Sequence, residues 1–274
     1  MRKPIGVFDS GYGGLTILKE MVNALPQYDY LYLGDNARAP YGEKDFYTIY
    51  QYTLQAVKYL FSQGCEMVIL ACNTASAKAL RTIQQKDLPS LAPDKRVLGV
   101  IRPTSETIGH ISHTNNVAVL GTAGTVKSGS YLIEIAKFFP EVKVVQEACP
   151  SWVSLVENFQ YDSPVADEEV QKHISSILAQ NPEIDTILLA CTHYPLLQKV
   201  IDRHLPPGVK AVAQGEIVAN SLKDYLHRHQ GLENNISKGA TIDFFTTGET
   251  DDFDRHGSVF FGREVRSKKI QLLH

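Results

Sequence analysis

Nine short apolar runs recur along this chain, with longer amphipathic segments filling the spaces between them. The runs cover residues 5–8, 30–33, 67–71, 97–101, 117–120, 142–146, 186–190, 210–213 and 242–246. At four or five residues each they are too short for buried helices and suit strands. The segments 46–62, 75–85, 167–179 and 196–204 carry apolar residues at helical spacing. Strand and helix in steady alternation predict an α/β fold: parallel sheets covered by helices on both faces.

The second half looks like a degenerate copy of the first. Val68-Ile69-Leu70-Ala71-Cys72-Asn73-Thr74 is echoed by Ile187-Leu188-Leu189-Ala190-Cys191-Thr192-His193. Val7-Phe8-Asp9-Ser10-Gly11 is echoed by Val119-Leu120-Gly121-Thr122, at nearly the same separation. The expectation is two similar doubly wound parallel-sheet domains, related by a pseudo-twofold repeat and facing each other across a cleft. The first would comprise residues 1–98 plus 208–274, because the last strand and helix (242 to about 266) must dock somewhere. The second would comprise residues 99–207.

Composition narrows the function classes. A net charge of −3 over 274 residues gives no basic face for nucleic acid. No apolar run approaches the roughly 18 residues that suggest a membrane helix. The chain enters a strand-like segment at once, without an apolar leader, so a cytoplasmic location is expected. Of the four cysteines, Cys65, Cys72, Cys149 and Cys191, no pair has C-x-x-C spacing, and no metal site is expected. In a reducing compartment such thiols are buried filler or reactive groups. Cys65 reads as filler.

Parallel sheets bind ligands beyond the carboxyl ends of their strands. Asp9, Ser10, Asp35, Cys72, Gly121 and Cys191 all stand there. Asn73 or Thr74 can cap a helix after Cys72, and Thr192 or His193 one that begins near Pro195. A thiol at a helix N-terminus is biased toward thiolate. The alternative, a small apolar residue ending a strand, is weakened by the doubling. His193 can help deprotonate Cys191 or meet a substrate carboxylate, or simply cap a helix. Asp9 can receive a substrate ammonium or orient the thiol, or cap the next helix. The glycines of Gly11-Tyr12-Gly13-Gly14 match neither a dinucleotide fingerprint nor a Walker loop. The segment from Asn36 to Gly42 reads as a loop whose backbone can hold a carboxylate. Two equivalent thiols, one from each half, suit removal of a proton from one face of a carbon and its return to the other.

Together, Gly6-Val7-Phe8-Asp9-Ser10-Gly11, Gly13-Gly14-Leu15-Thr16, Pro40-Tyr41-Gly42, Cys72-Asn73-Thr74-Ala75 and Cys191-Thr192-His193-Tyr194-Pro195-Leu196 resemble the cofactor-independent glutamate racemases, from residue 5 to about 265. The resemblance implies that Cys72 and Cys191 are the acid/base pair, assisted by Asp9 and His193 respectively, with Glu157 a further acidic residue. It implies that Asp9, Ser10, Pro40, Tyr41, Gly42, Asn73, Thr74, Thr122, Thr192 and His193 hold glutamate. It also implies D-glutamate supply for peptidoglycan, no cofactor, no nucleic-acid or membrane partner, and a homodimer. The chain departs from the family at Arg102-Pro103-Thr104, Ser154 and Gln214-Gly215. The rival readings are an aspartate or other amino-acid racemase, a decarboxylase or cis–trans isomerase of the wider superfamily (disfavoured because many use a single essential cysteine), a cysteine hydrolase using Cys191 and His193, and a non-catalytic binding module.

Overall fold

The computed structural model describes residues 2–272. It is an α/β structure made of two compact units, Met1–Val100 with Gly215–His274, and Ile101–Gln214. The first unit contains β1 (Ile5–Asp9), β2 (Tyr30–Gly34), β3 (Met67–Leu70), β4 (Arg96–Gly99), β9 (Ile242–Thr246) and β10 (Ser267–Lys269). The second contains β5 (Asn116–Gly121), β6 (Lys143–Ala148), β7 (Thr186–Ala190) and β8 (Lys210–Val212).

Strand order in the first sheet is β10-β9-β2-β1-β3-β4, and every pairing is parallel. The second sheet runs β6-β5-β7-β8, also all parallel. Within each, the first two strands wind one way and the next two the other. The winding therefore reverses between β1 and β3, and again between β5 and β7. Loops diverge at such a point and leave a crevice at the strand ends, where α/β sheets take their ligands. Phe8 registers with Leu70 in one sheet and Gly121 with Ala190 in the other. The four chain segments leaving these strands carry Ser10, Cys72, Thr122 and Cys191. The internal repeat is thus present in strand order as well as in sequence.

The inner strands are buried along their whole length, as in sheets covered on both faces. Phe8, Leu33, Val68 and Leu70 pack against Leu54, Val57 and Leu60 of the helix Phe46–Ser62. Full burial of each such side chain contributes roughly 1.5–3 kcal/mol.

The expected helix at 75–85 is not regular. It begins at Asn73, and the segment Asn73–Leu91 includes a π-turn at Ile83–Asp87. Pro89 accounts for the π-turn: it has no N–H for the carbonyl of Gln85, and its ring crowds that carbonyl. The helix is also interrupted at Ala79. The expected strand at 97–101 ends at Gly99, and Ile101 instead opens the helix Ile101–Ile111. β10 is a polar three-residue strand, outside the reach of an apolar-run criterion.

Candidate active site

Cys72 immediately follows β3 and is itself the N-cap of the helix Asn73–Lys78, its sulfur accepting from the Ala75 N–H at 3.4 Å. Asn73 and Thr74, the expected caps, form the buried first turn instead. Ser10 Oγ lies 3.5 Å from Cys72 Sγ. Asp9 ends β1 and accepts from the Gly14 N–H at 2.7 Å, which curls the loop after the strand. That curl requires glycine at position 14: a Cβ there would come within 2.6 Å of Asp9 Cβ and 3.0 Å of both Ala71 Cβ and Tyr32 Oη.

The helix start does not make Cys72 a resting thiolate. Burial first, and then the Asp9 carboxylate, push the thiol up to about 12, against smaller stabilisation from Ala75 and Ser10. A six-residue helix offers only a weak dipole against these two effects.

Cys191 follows β7, but no α-helix starts there. The next element is the 3₁₀ turn Tyr194–Leu197, with Pro195 in its first turn and no side-chain cap from His193. The His193 ring is engaged elsewhere. Nδ1 lies 4.0 Å from Cys191 Sγ, and Nε2 lies 2.9 Å from Glu157 Oε1. Burial acts to lower the imidazole, but its bonds to Cys191 and Glu157 outweigh this and raise it to about 10. A charged imidazolium has only donors, so it cannot accept a backbone N–H as a cap must. Glu157 is the last residue of the helix Pro150–Glu157.

The remaining candidates fall at the same strand ends. Thr122 caps the helix Ala123–Ser128, its hydroxyl accepting from the Thr125 N–H at 3.2 Å. Thr192 is buried beside Cys191. Pro40, Tyr41 and Gly42 lie in the loop after β2, where the Ala39–Pro40 peptide is cis. Tyr41 is buried and its hydroxyl donates to Asp35 Oδ2 at 2.5 Å, so that side chain holds the loop in place.

Sequence reading missed what fixes that loop. Asp35 is fully buried and accepts from Arg38 Nε at 2.7 Å and from Thr247 at 2.8 Å. Arg38 also lies over the Tyr52 ring, 4.0 Å from its centroid. Only the position of Asp35 after a strand signalled it. Two of the departures are mild. Arg102 is exposed and pairs with Glu106, and Ser154 uses its backbone carbonyl to accept from Asn158. Gln214 is buried and donates to Thr104 Oγ1 at 2.9 Å and Tyr131 Oη at 2.7 Å, an arrangement for which a neutral amide is suited.

The chain as a whole is similar to known proteins. The sequence profile of the Asp/Glu/Hydantoin racemase family matches residues 5–222. The chain belongs to that family. Among racemases, it is 37% identical to the glutamate racemase of Dinoroseobacter shibae, over 98% of this chain and 99% of that one. It is 38% identical to the glutamate racemase of Geobacter metallireducens, covering 96% and 94% respectively. Its structure matches that of the glutamate racemase from Francisella tularensis in complex with D-glutamate, with a TM-score of 0.87 and 31% identity over 99% of this chain and 98% of that one.

Proposed function

We propose that this member of the racemase family is a glutamate racemase, interconverting L- and D-glutamate by two thiols without a cofactor. The observation that carries the reading is the pair of strand-end cysteines, Cys72 and Cys191, at the reversal points of two sheets of the same local strand order. Near full-length similarity to glutamate racemases favours glutamate over other amino acids.

Racemisation needs a base on one face of Cα and an acid on the other. Cys72, held protonated by burial and Asp9, serves as the resting acid. Cys191 serves as the base, because the charged His193 beside it compensates negative charge on sulfur, and Glu157 compensates His193 in turn. A thiolate takes the Cα proton, the electron pair moves into the substrate carboxylate, and the opposite thiol delivers its own proton to Cα. In the reverse direction the roles exchange. Backbone N–H groups at the starts of the helices after Cys72 and Thr122, with Ser10, Asn73, Thr74, Thr192 and the 40–42 loop, hold the substrate and stabilise charge on its carboxylate. The substrate ammonium meets Asp9. In a cell this activity supplies D-glutamate for peptidoglycan. We place the protein in the cytoplasm as a homodimer. None of its described helices is long and apolar enough to cross a membrane, and light scattering on purified protein tests the dimer.

Proton NMR of the purified protein with L-glutamate in D2O, without added cofactor, tests the reading. The expected result is loss of the Cα–H signal with formation of D-glutamate. No exchange with either glutamate enantiomer, but exchange with aspartate, would replace glutamate by aspartate. Full activity in Cys72→Ser would favour a hydrolase-like use of Cys191 and overturn the two-thiol mechanism.

A further inference from the structure

The loop carrying Ser10 is clamped from two sides. Beneath it, Tyr32 Oη donates to the Gly11 carbonyl at 2.9 Å. A Cβ on Gly34 would come within 2.7 Å of the same carbonyl oxygen, so the loop lies directly on the sheet. On the other side it meets the helix Thr250–Phe261. The Tyr12 hydroxyl donates to Asp252 Oδ2. The Tyr12 ring stacks on His256 at 4.6 Å between centroids and packs against Phe253 and Phe260 at 5.8 and 6.2 Å. Residues 252, 253, 256 and 260 recur at helical spacing, so a single face of this helix receives one side chain from the loop. Burial works against the charge on Asp252, but Tyr12, His256 and Arg255 outweigh it, so the acceptor stays ionised.

Tyr12 stands two positions after Ser10, whose hydroxyl lies 3.5 Å from the Cys72 sulfur. The loop is tied at Asp9 through Gly14, at Gly11 through Tyr32, and at Tyr12 through Asp252. Of these ties, Tyr12–Asp252 alone joins the loop to an element far along the chain.

We propose that Tyr12 and Asp252 are a positioning pair: the helix Thr250–Phe261 holds the 10–14 loop so that Ser10 stays against the Cys72 thiol. The inference rests on the reading of Cys72 as one of two proton-transfer groups. It assigns the C-terminal helix to the Cys72 half of the reaction and gives it no part in the Cys191 half. Neither side chain is placed against the substrate.

The test uses Tyr12→Phe, which keeps the ring and its stacking, together with Asp252→Ala and Asp252→Asn, the last keeping an oxygen acceptor. Loss of one hydrogen bond to a charged group is expected to slow kcat by about fivefold to tenfold in Tyr12→Phe and Asp252→Ala, with KM little changed. Asp252→Asn should recover most of the loss. The double variant Tyr12→Phe/Asp252→Ala should be no slower than either single variant, since both remove one interaction.

The discriminating readout is the isotope effect of α-deuterated substrate. With the enantiomer whose proton Cys72 removes (the one still exchanging in Cys191→Ser) the effect should rise. With the other enantiomer it should fall, because the Cys72 step has become more rate-limiting in both directions. General loosening would produce no such opposite pair. Peptide-resolved alkylation by iodoacetamide supplies a second readout that needs no substrate. The two thiols are equally buried, at 6% exposure, so Tyr12→Phe should alter the rate at Cys72 by about threefold or more and leave Cys191 unchanged. Equal changes at both thiols, or none, would overturn the proposal. A wild-type protein that racemises no amino acid but shows the selective alkylation change would overturn the racemase reading and leave the positioning pair standing.

Discussion

Cys72 and Cys191 end equivalent strands, β3 and β7, and are equally buried, yet their neighbours differ in kind. Around Cys72 stand a carboxylate, a hydroxyl and the start of a short helix. Around Cys191 stand a charged imidazole and the carboxylate behind it. The first set favours the protonated thiol and the second compensates a negative sulfur. The repeat therefore supplies two thiols in matching places, and the side chains around them set them apart. A symmetric pair would give both thiols the same surroundings, whereas here burial and the Asp9 carboxylate disfavour charge on Cys72.

The comparison breaks most sharply at the thiols themselves. Cys72→Ser and Cys191→Ser should each lower racemisation by about 10³-fold or more, within the range of lost acid–base catalysis. Circular dichroism of the glutamate pool follows the rate. A variant that retains a tenth of the wild-type rate would show its thiol to be dispensable.

Removal of the charged partner comes next. His193→Asn should lower kcat by about 10²-fold, and it should raise the isotope effect only for the enantiomer served by Cys191. Asp9→Asn should do the same for the other enantiomer. Equal effects on both enantiomers in either variant would mean that the environments are not divided as described.

Glu157→Gln sharpens the comparison by its pH dependence. With Glu157 neutral, the His193 titration followed by nitrogen-15 NMR should fall from about 10 toward the ordinary 6.5. The linkage has a definite sign. A folded-state value raised above the unfolded one stabilises the protein fully below about 6.5, and this contribution is lost as pH rises through about 10. Thermal denaturation should therefore show wild-type stability declining across that window, with a flatter profile in Glu157→Gln. An unchanged slope would mean that His193 is not held charged by Glu157. The smallest effect is expected for Ser10→Ala. It should slow turnover by about fivefold to tenfold, as in Tyr12→Phe and Asp252→Ala, which act through the same contact, and alter alkylation at Cys72 only.

Much of this was open to a reader of residues. All nine apolar runs became strands, because a sheet buried on both faces demands continuous apolar segments. β10 was not legible, because a short polar edge strand buries nothing that composition registers. The π-turn at the end of the helix expected over 75–85 reflects Pro89, whose effect lies upstream of its own position. The strand-end positions of Cys72, Cys191, Asp9 and His193 followed from the repeat. The bias toward thiolate that a helix start lends Cys72 is outweighed by burial and a neighbouring charge. Those quantities have no linear signature.

The sequence by itself determined the alternation of strands and helices, the duplicated cysteine motif and the family. Each depends on periodicity or on adjacent residues. Tertiary structure alone decided which groups meet across long separations. It placed Glu157 on His193, Thr247 on Asp35, Gln214 on Thr104 and Tyr131, and Asp252 on Tyr12. Such contacts join polar side chains that carry no periodic mark. Their energies depend on burial, which exists only once the sheets have assembled.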